Sequence, residues 1–348
     1  MKRRLNLKST IALAVLGLFI VIYPLTGVSN YHLQFFINAF MYAYFASAWN
    51  FIGGYAGQMA MGNGVYIGIG AYISTVLYCT YGLTPWIGML IGGVICGLLS
   101  LVIGSITFRL SGTYYSLSTV AFLHVTRMLI TSKNTLFGFE TRGAKGIYIP
   151  FNGFTFRDFM FESKIWYYFI ILGMLILVLL ASNYIKNSKT GYYLMAINTN
   201  QEAAGSLGVD TMRMKLRAGF IAAFFTAIGG TFFVQLLAVV DPARVLGYDL
   251  SAQIMVYAII GGRGTLFGPV ISAVILSPIS DFLRSAFGAN IPGLNLIIYG
   301  LALMLIVYYL PKGIWPPIAA LLKRVFRSGE KTPEMVSDVS AAEADPKE

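Results

Sequence analysis

The stretch NFIGGYAGQMAMGNGVYIGIGAY, residues 50–72, places seven glycines in an otherwise apolar part of the chain. Each glycine weakens an ordinary helix by up to about 1 kcal/mol relative to alanine. In a membrane, backbone that leaves the helix is tolerated only where protein or a water-filled cavity satisfies its hydrogen bonds. The stretch therefore predicts a broken membrane helix, a feature that often lines the sites of transporters.

A second glycine-rich segment, IIGGRGTLFGPV at residues 259–270, contains the same Ile-Gly-Gly triplet and also Pro269. Paired glycine and proline interruptions in two halves of a chain can mark an internal repeat. They can also be two separate tight turns, and the sequence leaves both interpretations open.

Composition places much of the chain in lipid. The 348 residues are 57% hydrophobic and 11% charged, and the mean hydropathy is +0.71. A soluble domain averages about 25% charged residues, so a soluble core could not bury this much apolar surface. The net charge of +11 could indicate nucleic-acid binding, but the distribution of the basic residues favours a membrane topology. The two cysteines, Cys79 and Cys96, indicate small apolar fillers and exclude a disulfide framework.

The apolar runs predict an all-α polytopic membrane protein with about ten transmembrane helices, some of them broken at glycines. A bilayer core about 30 Å thick needs roughly 20 residues of helix. The candidate spans lie at 10–28, 33–52, 65–80, 85–107, 112–131, 165–183, 214–238, 251–262, 268–286 and 293–310. The first run follows four basic residues, but its length and the later spans indicate an uncleaved helix rather than a signal peptide.

The basic residues set the expected orientation. With the N-terminus in the cytoplasm, the inner segments hold 17 of the 25 basic residues and the outer segments hold the other eight, in agreement with the positive-inside rule. Both termini and the polar loop at 184–213 are then cytoplasmic. We predict a transmembrane domain at 1–327 and a disordered, acidic cytoplasmic tail at 328–348.

Two spans carry small residues at every fourth position, which allows helices to approach closely in lipid. In the span at 85–107 these residues are Gly88, Gly92, Cys96, Ser100 and Gly104. In the span at 214–238 they are Ala218, Ala222, Thr226 and Gly230. The two stripes predict a tightly packed bundle and carry no information about a transported solute.

The motifs of an enzyme are missing from the sequence. It contains no G-x-x-x-x-G-K-[ST] phosphate loop, no H-E-x-x-H motif and no catalytic-triad signature. Asp281, with Arg284 as its expected local partner, is nearly the only carboxylate within the spans, whereas proton-coupled carriers usually need a chain of them. We therefore expect no catalytic residue, metal site or cofactor in this chain, and an energy source in a partner protein.

His124 belongs to a polar stripe on the fifth span, formed by Ser116, Val120, His124 and Arg127. Ionisable residues inside a membrane are candidates for a functional pathway. Arg127 lies near the outer end of the span, where snorkelling to the surface would also explain it. A pathway and simple anchoring both remain open.

The polar loop contains the motif EAAGSLG, residues 202–208. Residues 199–207 are compatible with a short helix that has Thr199 or Asn200 as its N-cap and Gly208 as its C-terminal stop. The alanines would give a smooth face that fits a groove on a partner protein. An ordinary cytoplasmic loop is the alternative.

Four blocks of the sequence together resemble the permease subunits of ABC importers, in particular the LivM type for branched-chain amino acids. The resemblance covers roughly residues 35–317. The blocks are NFIGGYAGQMAMGNGVYIGIGAY, GTYYSLSTVAFLHVTR followed by TRGAKGI, AINTNQEAAGSLGVDTMRMKLRAGFIAAFFTAIGGTFF, and IIGGRGTLFGPVISAVILSPISDFLR with YYLPKGIW. The EAAxxxG motif looks like the family's cytoplasmic coupling segment.

The resemblance implies partners and site residues. A second permease subunit, two ATPase subunits that use ATP and magnesium, and an external solute-binding protein would complete a transporter in the bacterial inner membrane. Coupling to the ATPase would fall to Glu202, Ala203, Ala204 and Gly208. The translocation pathway would include Gly54, Tyr55, Gly57, Gln58, Gly62, Asn63 and His124. The outer loop at 132–164, rich in phenylalanine and basic residues, is expected to dock the binding protein.

This sequence departs from the family pattern at several positions. Asn63 stands where histidine is usual, His124 where glutamate is usual, and Arg142 where glycine is usual. Positions that are commonly charged in the coupling loop carry Met195, Asn198, Thr199 and Gln201. The alternatives are a secondary carrier or channel that works alone, a membrane enzyme such as a lipid transferase, and a permease of the same family for urea, short amides or sugars.

Overall fold

The computed structural model describes residues 22–26, 29–110, 112–136, 138–151, 153–287, 293–310 and 313–327. Most of the predicted first span at 10–28 and the whole predicted tail at 328–348 lie outside these residues.

The described residues are mainly helical. In chain order the α-helices are α1 Asn30–Asn50, α2 Gly64–Tyr81, α3 Pro85–Thr107, α4 Thr113–Ser132, α5 Lys164–Lys186, α6 Lys189–Thr199, α7 Gln201–Ser206, α8 Thr211–Leu237, α9 Pro242–Val245, α10 Tyr248–Gly262, α11 Gly268–Phe287, α12 Leu294–Tyr309 and α13 Trp315–Arg327. The short strands are β1 Thr135–Leu136, β2 Phe139–Glu140, β3 Ile147–Tyr148 and β4 Val239–Val240. Single turns of other geometry are the 3-10 turns Tyr23–Leu25 and Gly143–Lys145 and the π-helical turn Phe51–Tyr55.

Several helices begin where a side chain caps the free backbone amides of the first turn. Thr84 Oγ1 accepts a hydrogen bond from the backbone amide of Trp86 at 3.3 Å at the start of α3. At the start of α8, Asp210 Oδ1 accepts from the amide of Arg213 at 3.0 Å, and its carboxylate also pairs with the Arg213 side chain at 2.9 Å. These local signals explain where the helices start.

Five described segments are long and apolar enough to cross a membrane: Pro85–Thr107, Lys164–Lys186, Thr211–Leu237, Pro242–Gly262 and Gly268–Phe287. The predicted class, an all-α membrane protein, is therefore confirmed. Helices α1, α2, α4 and α12 coincide with predicted spans but fall outside that set. The count of about ten spans stays a prediction.

Helices α2, α3 and α8 form the tightest part of the bundle, in which α3 packs along α8 and both pack on α2. All nine small residues of the two predicted stripes are buried, so the packing prediction is confirmed. Gly70 of α2 shows why small residues are needed. A methyl group added there would lie 2.6 Å from the carbonyl oxygen of Ala227 on α8, so only glycine allows the two backbones to come this close.

Contacts between loops agree with the predicted alternation of sides. Strand β3, in the predicted outer loop at 132–164, pairs antiparallel with β4, which follows the outer end of α8. At the opposite end, the polar loop contacts the first glycine-rich stretch through Asn198, and that stretch contacts the second through Asn50. The polar loop and the two glycine-rich segments therefore meet at one end of the bundle. Which end faces the cytoplasm stays a prediction.

Asp281 has a different partner from the one predicted. Its Oδ2 accepts a hydrogen bond at 3.1 Å from Asn38 Nδ2 of α1. Among the described residues, no ion pair within 4.0 Å joins Asp281 to Arg284, so the two side chains of the predicted local pair are not in direct contact. A neutral amide from a neighbouring helix solvates the carboxylate, and this links α11 to α1.

We expect Gly70→Ala to destabilise the bundle, because overpacking of a tight contact costs about 1–3 kcal/mol. The matched control is Gly173→Ala in α5, where an added methyl group meets no atom within 4 Å and alanine is the better helix former. Thermal unfolding of the detergent-purified protein should shift to lower temperature for Gly70→Ala and not for Gly173→Ala. Equal melting temperatures for the two variants would contradict the close contact at Gly70.

Candidate functional site

The first glycine-rich stretch is a broken helix, as the sequence predicts. Helix α1 passes into the π-helical turn at Phe51–Tyr55, and the backbone then leaves helical geometry until α2 begins at Gly64. The indole Nε1 of Trp49 donates a hydrogen bond at 2.7 Å to the carbonyl of Ala60. This bond folds the non-helical segment, residues 56–63, back against the end of α1.

Protein side chains from other helices satisfy the backbone of this segment. Ser116 Oγ on α4 donates to the carbonyl of Met59 at 2.8 Å, and Thr119 Oγ1 accepts from the amide of Met61 at 3.1 Å. The amide of Gly64, where α2 starts, donates to Ser251 Oγ on α10 at 2.8 Å. Non-helical backbone in a membrane needs such partners, and here hydroxyl groups of α4 and α10 supply them.

The second glycine-rich segment is a tight turn between α10 and α11. Gly262 and Gly264 have φ angles of 111° and 74°, in the left-handed region that favours glycine. Thr265 closes the turn, because its backbone amide and its Oγ1 both donate to the carbonyl of Gly262, at 3.3 Å and 2.7 Å. The two breaks thus differ in form: one is a π-helical turn with a long non-helical segment, and the other is a short turn.

The buried side chain of Asn50 joins the two breaks. Its Nδ2 donates to the carbonyl of Thr265 at 2.8 Å, and its Oδ1 accepts from the amide of Gly264 at 2.9 Å. The side-chain amide of Asn50 is therefore both a hydrogen-bond donor and a hydrogen-bond acceptor to the backbone of the turn. No sequence pattern predicts this contact, although Asn50 is the residue that opens the first glycine-rich stretch.

The motif EAAGSLG forms the short helix α7 that the sequence predicts. Asn200 is the N-cap, and its Oδ1 accepts hydrogen bonds from the amides of Glu202 at 3.0 Å and Ala203 at 3.1 Å. Gly208, with φ of 84°, reverses the chain after the last turn. Both local predictions, the cap and the glycine stop, are confirmed.

Helix α7 leaves most of its surface open. Ala204 is buried against the protein, whereas Glu202, Ala203 and Ser206 are exposed and the side chain of Leu207 is 86% exposed. The open face has a carboxylate at its start, small residues in its middle and one leucine at its end. Such a face fits a shallow groove on another protein.

A buried lysine holds α7 in place. Lys215, in the first turns of α8, is 2% exposed, and its Nζ donates to Gln201 Oε1 at 2.6 Å. None of the ion pairs among the described residues involves Lys215. The start of α7 is therefore fixed to α8 by a neutral acceptor.

The residues predicted for the translocation pathway do not share one surface. Gly54, Tyr55, Gly62 and Asn63 are buried, Gly57 and Gln58 are partly buried, and His124 is exposed. The hydroxyl of Tyr55 bonds to Ser182 Oγ of α5 at 2.7 Å. Asn63 lines an internal cavity of about 30 Å³, and its Nδ2 has no hydrogen-bond partner within the protein. A cavity of this size holds about one water molecule.

The predicted polar stripe of α4 is split between two faces. Ser116 is buried in contact with the broken segment, whereas His124 lies on an exposed face with Leu117, Val125 and Met128. An imidazole that faced only lipid would be energetically costly. The face around His124 therefore requires a protein or aqueous neighbour.

The structure combines two interrupted apolar helices with a polar helical loop that contacts one of the interruptions. This combination defines the membrane component of a transport system. The chain belongs to the family described as branched-chain amino acid transport system / permease component, whose model matches residues 31–307.

The curated relatives agree with this family. The chain is 26% identical over 292 residues to the high-affinity branched-chain amino acid transport system permease protein LivM of Escherichia coli. The matched region covers 79% of this chain and 67% of the relative. The probable LivM protein of Methanocaldococcus jannaschii is 22% identical, over 76% of this chain and 81% of its own length. A ribose import permease protein, RbsC of Haemophilus influenzae, matches 29% of this chain and 32% of its own length at 25% identity. No solved structure gives a significant match.

We expect Gln201→Ala to loosen α7, because an unsatisfied buried donor costs about 1–3 kcal/mol and Lys215 would lose this acceptor. Hydrogen–deuterium exchange across residues 200–208 should become faster in the purified protein. Thr199→Ala is the matched control, because Thr199 Oγ1 bonds only to the carbonyl of Met195 within its own helix. Unchanged exchange in Gln201→Ala would show that the bond to Lys215 does not hold the helix.

Proposed function

We propose that this chain is the permease subunit of an ABC importer that carries branched-chain amino acids across the cytoplasmic membrane. Partner subunits hydrolyse the ATP, and this chain binds no cofactor of its own. The observation that carries the proposal is the open face of α7, a capped helix that is attached to the bundle beside a broken membrane helix. Membership of the permease family agrees with this role.

The cargo assignment rests on the relatives. The relatives that cover most of the chain carry names that specify branched-chain amino acid transport, whereas the ribose permease matches less than a third of it. Urea, short amides and sugars are the rival cargoes. Competition for uptake of labelled L-leucine by unlabelled valine, urea, acetamide and ribose would separate them.

The passage for cargo lies between this chain and a second permease subunit. The cavity beside Asn63 holds about one water molecule, and a branched-chain amino acid is several times larger. The exposed face of α4, with His124 in its middle, requires a non-lipid neighbour. We propose that this face borders the passage and that the segment at 54–63, packed behind it, shapes its wall.

The complete transporter would contain two permease subunits, two ATPase subunits and an external binding protein. Helix α7 would dock on an ATPase through Glu202, Ala203 and Leu207, while Ala204 packs inward and Gly208 returns the chain to the membrane. ATP binding would bring the ATPase pair together, move α7 and rock the bundle as a rigid body.

A carrier that works alone is the second candidate, and Asp281 bears on it. Its carboxylate is partly buried and bonded to Asn38. A proton-coupled carrier usually needs a series of ionisable groups across the membrane, and one such group is no relay. Uptake by the purified chain in liposomes without ATP or partners would establish this candidate in place of the importer.

Ala203→Arg should disrupt docking of the ATPase, because a long cation replaces a small residue on the open face of α7 while the capping bond to its backbone amide remains. Copurification of the ATPase and ATP-dependent uptake of L-leucine should fall at least tenfold, with normal amounts of the chain in the membrane. Asn187→Arg is the matched control, since Asn187 is an exposed residue of the same polar loop whose side chain bonds to the neighbouring Asn183. Normal copurification with Ala203→Arg would refute the coupling role of α7.

The combined substitution of Arg142, Lys145 and Arg157 by Glu should impair recognition of the binding protein. All three residues are exposed on the predicted outer loop, and reversal of rim charges slows association and changes its salt dependence. We expect uptake at low binding-protein concentration to fall about tenfold, with unchanged membrane levels. The triple variant Arg142→Lys, Lys145→Arg and Arg157→Lys keeps the charge and should transport normally. Normal uptake with the three glutamates would exclude this docking surface.

A further inference from the structure

Three separate segments meet at Gly54. The carbonyl of Gly54 accepts a hydrogen bond at 3.0 Å from Asn198 Nδ2 on α6. A methyl group on Gly54 would lie 2.6 Å from the backbone nitrogen of Gly264, and one on Gly264 would lie 3.2 Å from the Gly54 carbonyl oxygen. The two breaks are therefore in backbone contact here, and the polar loop reaches the same point.

Asn50 secures this meeting point from the membrane side. Its side chain is 1% exposed and bonds to Gly264 and Thr265. The turn at 262–265 thus cannot move away from the end of α1 without breaking both hydrogen bonds. We call Asn50, Gly54, Asn198 and Gly264 the glycine junction.

Asn198 lies close in sequence to the docking helix. Helix α6 ends at Thr199, and Asn200 caps α7. One residue therefore separates Asn198, which bonds to the first break, from Asn200, which caps α7. The side chain of Asn198 also occupies the space beside Gly57, where a methyl group would lie 2.9 Å from its Cγ atom. A displacement of α7 consequently acts on the break through Asn198.

We infer that Asn198 is a positioning residue that transmits movement of α7 to both glycine-rich breaks through the glycine junction. The inference rests on the proposed coupling role of α7 and adds the path by which that role reaches the membrane. Its side chain contributes an amide that donates to a backbone carbonyl. The carbonyl of Gly54 accepts from Asn198, and the Gly264 turn follows because Asn50 ties it to the same helix end.

The strength of these bonds makes the inference testable. Asn198 is exposed on its other sides, and a single hydrogen bond from such a side chain contributes little to net folding stability. Removal of its amide donor should therefore leave the chain folded and assembled. Asn50, in contrast, is buried with two backbone partners, so its replacement would also disturb folding and would be a poorer test.

The experiment uses the transporter copurified from its native membrane with its ATPase subunits, reconstituted in liposomes with its binding protein and labelled L-leucine. Uptake and ATP hydrolysis are measured together for Asn198→Ala and Asn198→Asp, which both remove the donor. We expect hydrolysis within twofold of the unmodified protein and uptake per ATP at least tenfold lower. Thr199→Ala, next to Asn198 but bonded only within α6, should keep the normal ratio.

A second measurement follows the junction itself. ATP should change hydrogen–deuterium exchange in both 51–58 and 262–265 of the unmodified transporter, and Asn198→Ala should abolish this change while exchange in α7 still responds. A purely structural role would not separate these responses.

Several outcomes would overturn the inference while the proposed function stands. One is a normal ratio of uptake to hydrolysis in both Asn198 variants, and another is a proportional fall of both activities, which would place Asn198 in ATPase docking. If the ATP-dependent change in hydrogen–deuterium exchange persists in Asn198→Ala, the inference is also overturned. Uptake by the unmodified chain without ATP would instead overturn the proposed function, and the inference with it.

Discussion

The structure depends on one constraint: backbone that leaves the helix inside a membrane must find hydrogen-bond partners in the protein. The segment at 56–63 meets it with groups from two different helices, α1 and α4. Trp49 bonds to Ala60, Ser116 bonds to Met59, and Thr119 bonds to Met61. These bonds fix where α1, α4 and the broken segment lie relative to one another. Continuous helices satisfy their backbone groups internally and would not need these bonds. Their positions relative to one another would then be less constrained.

The same constraint explains why the two breaks and the polar loop meet at one end of the bundle. The two breaks leave backbone groups free, and the amides of Asn50 and Asn198 use several of them. The polar loop is thereby attached to the least regular part of the membrane domain. Lys215 attaches α7 in a similar way, because its bond to Gln201 fixes the start of α7 to α8.

Sequence patterns predicted those features whose causes are local. The small-residue stripes gave the packing of α3 and α8, because a four-residue spacing defines a helix face. Asn200 and Gly208 gave the ends of α7, because capping and chain reversal depend on residues that are neighbours in sequence. The glycine density gave the existence of the breaks. Each prediction needed only a few adjacent residues.

Long-range partners could not be predicted in the same way. Asn50 bonds to Gly264 across more than two hundred residues, and no periodicity identifies such a pair. Asp281 was assigned to Arg284 because they are one helical turn apart, but a neighbouring helix supplied Asn38 instead. His124 and Ser116 shared a stripe by spacing, yet the broken segment covers one and leaves the other open. A helix pattern shows which residues share a face and cannot show what lies against it.

The backbone contact between Gly54 and Gly264 has a consequence for how the two breaks can move relative to each other. Packed interfaces switch between discrete arrangements and do not stretch by degrees. Where two backbone segments touch directly, no flexible side chain lies between them that could adjust to a small displacement. A contact of this kind is either made or broken, so the two breaks either stay together or separate as whole segments.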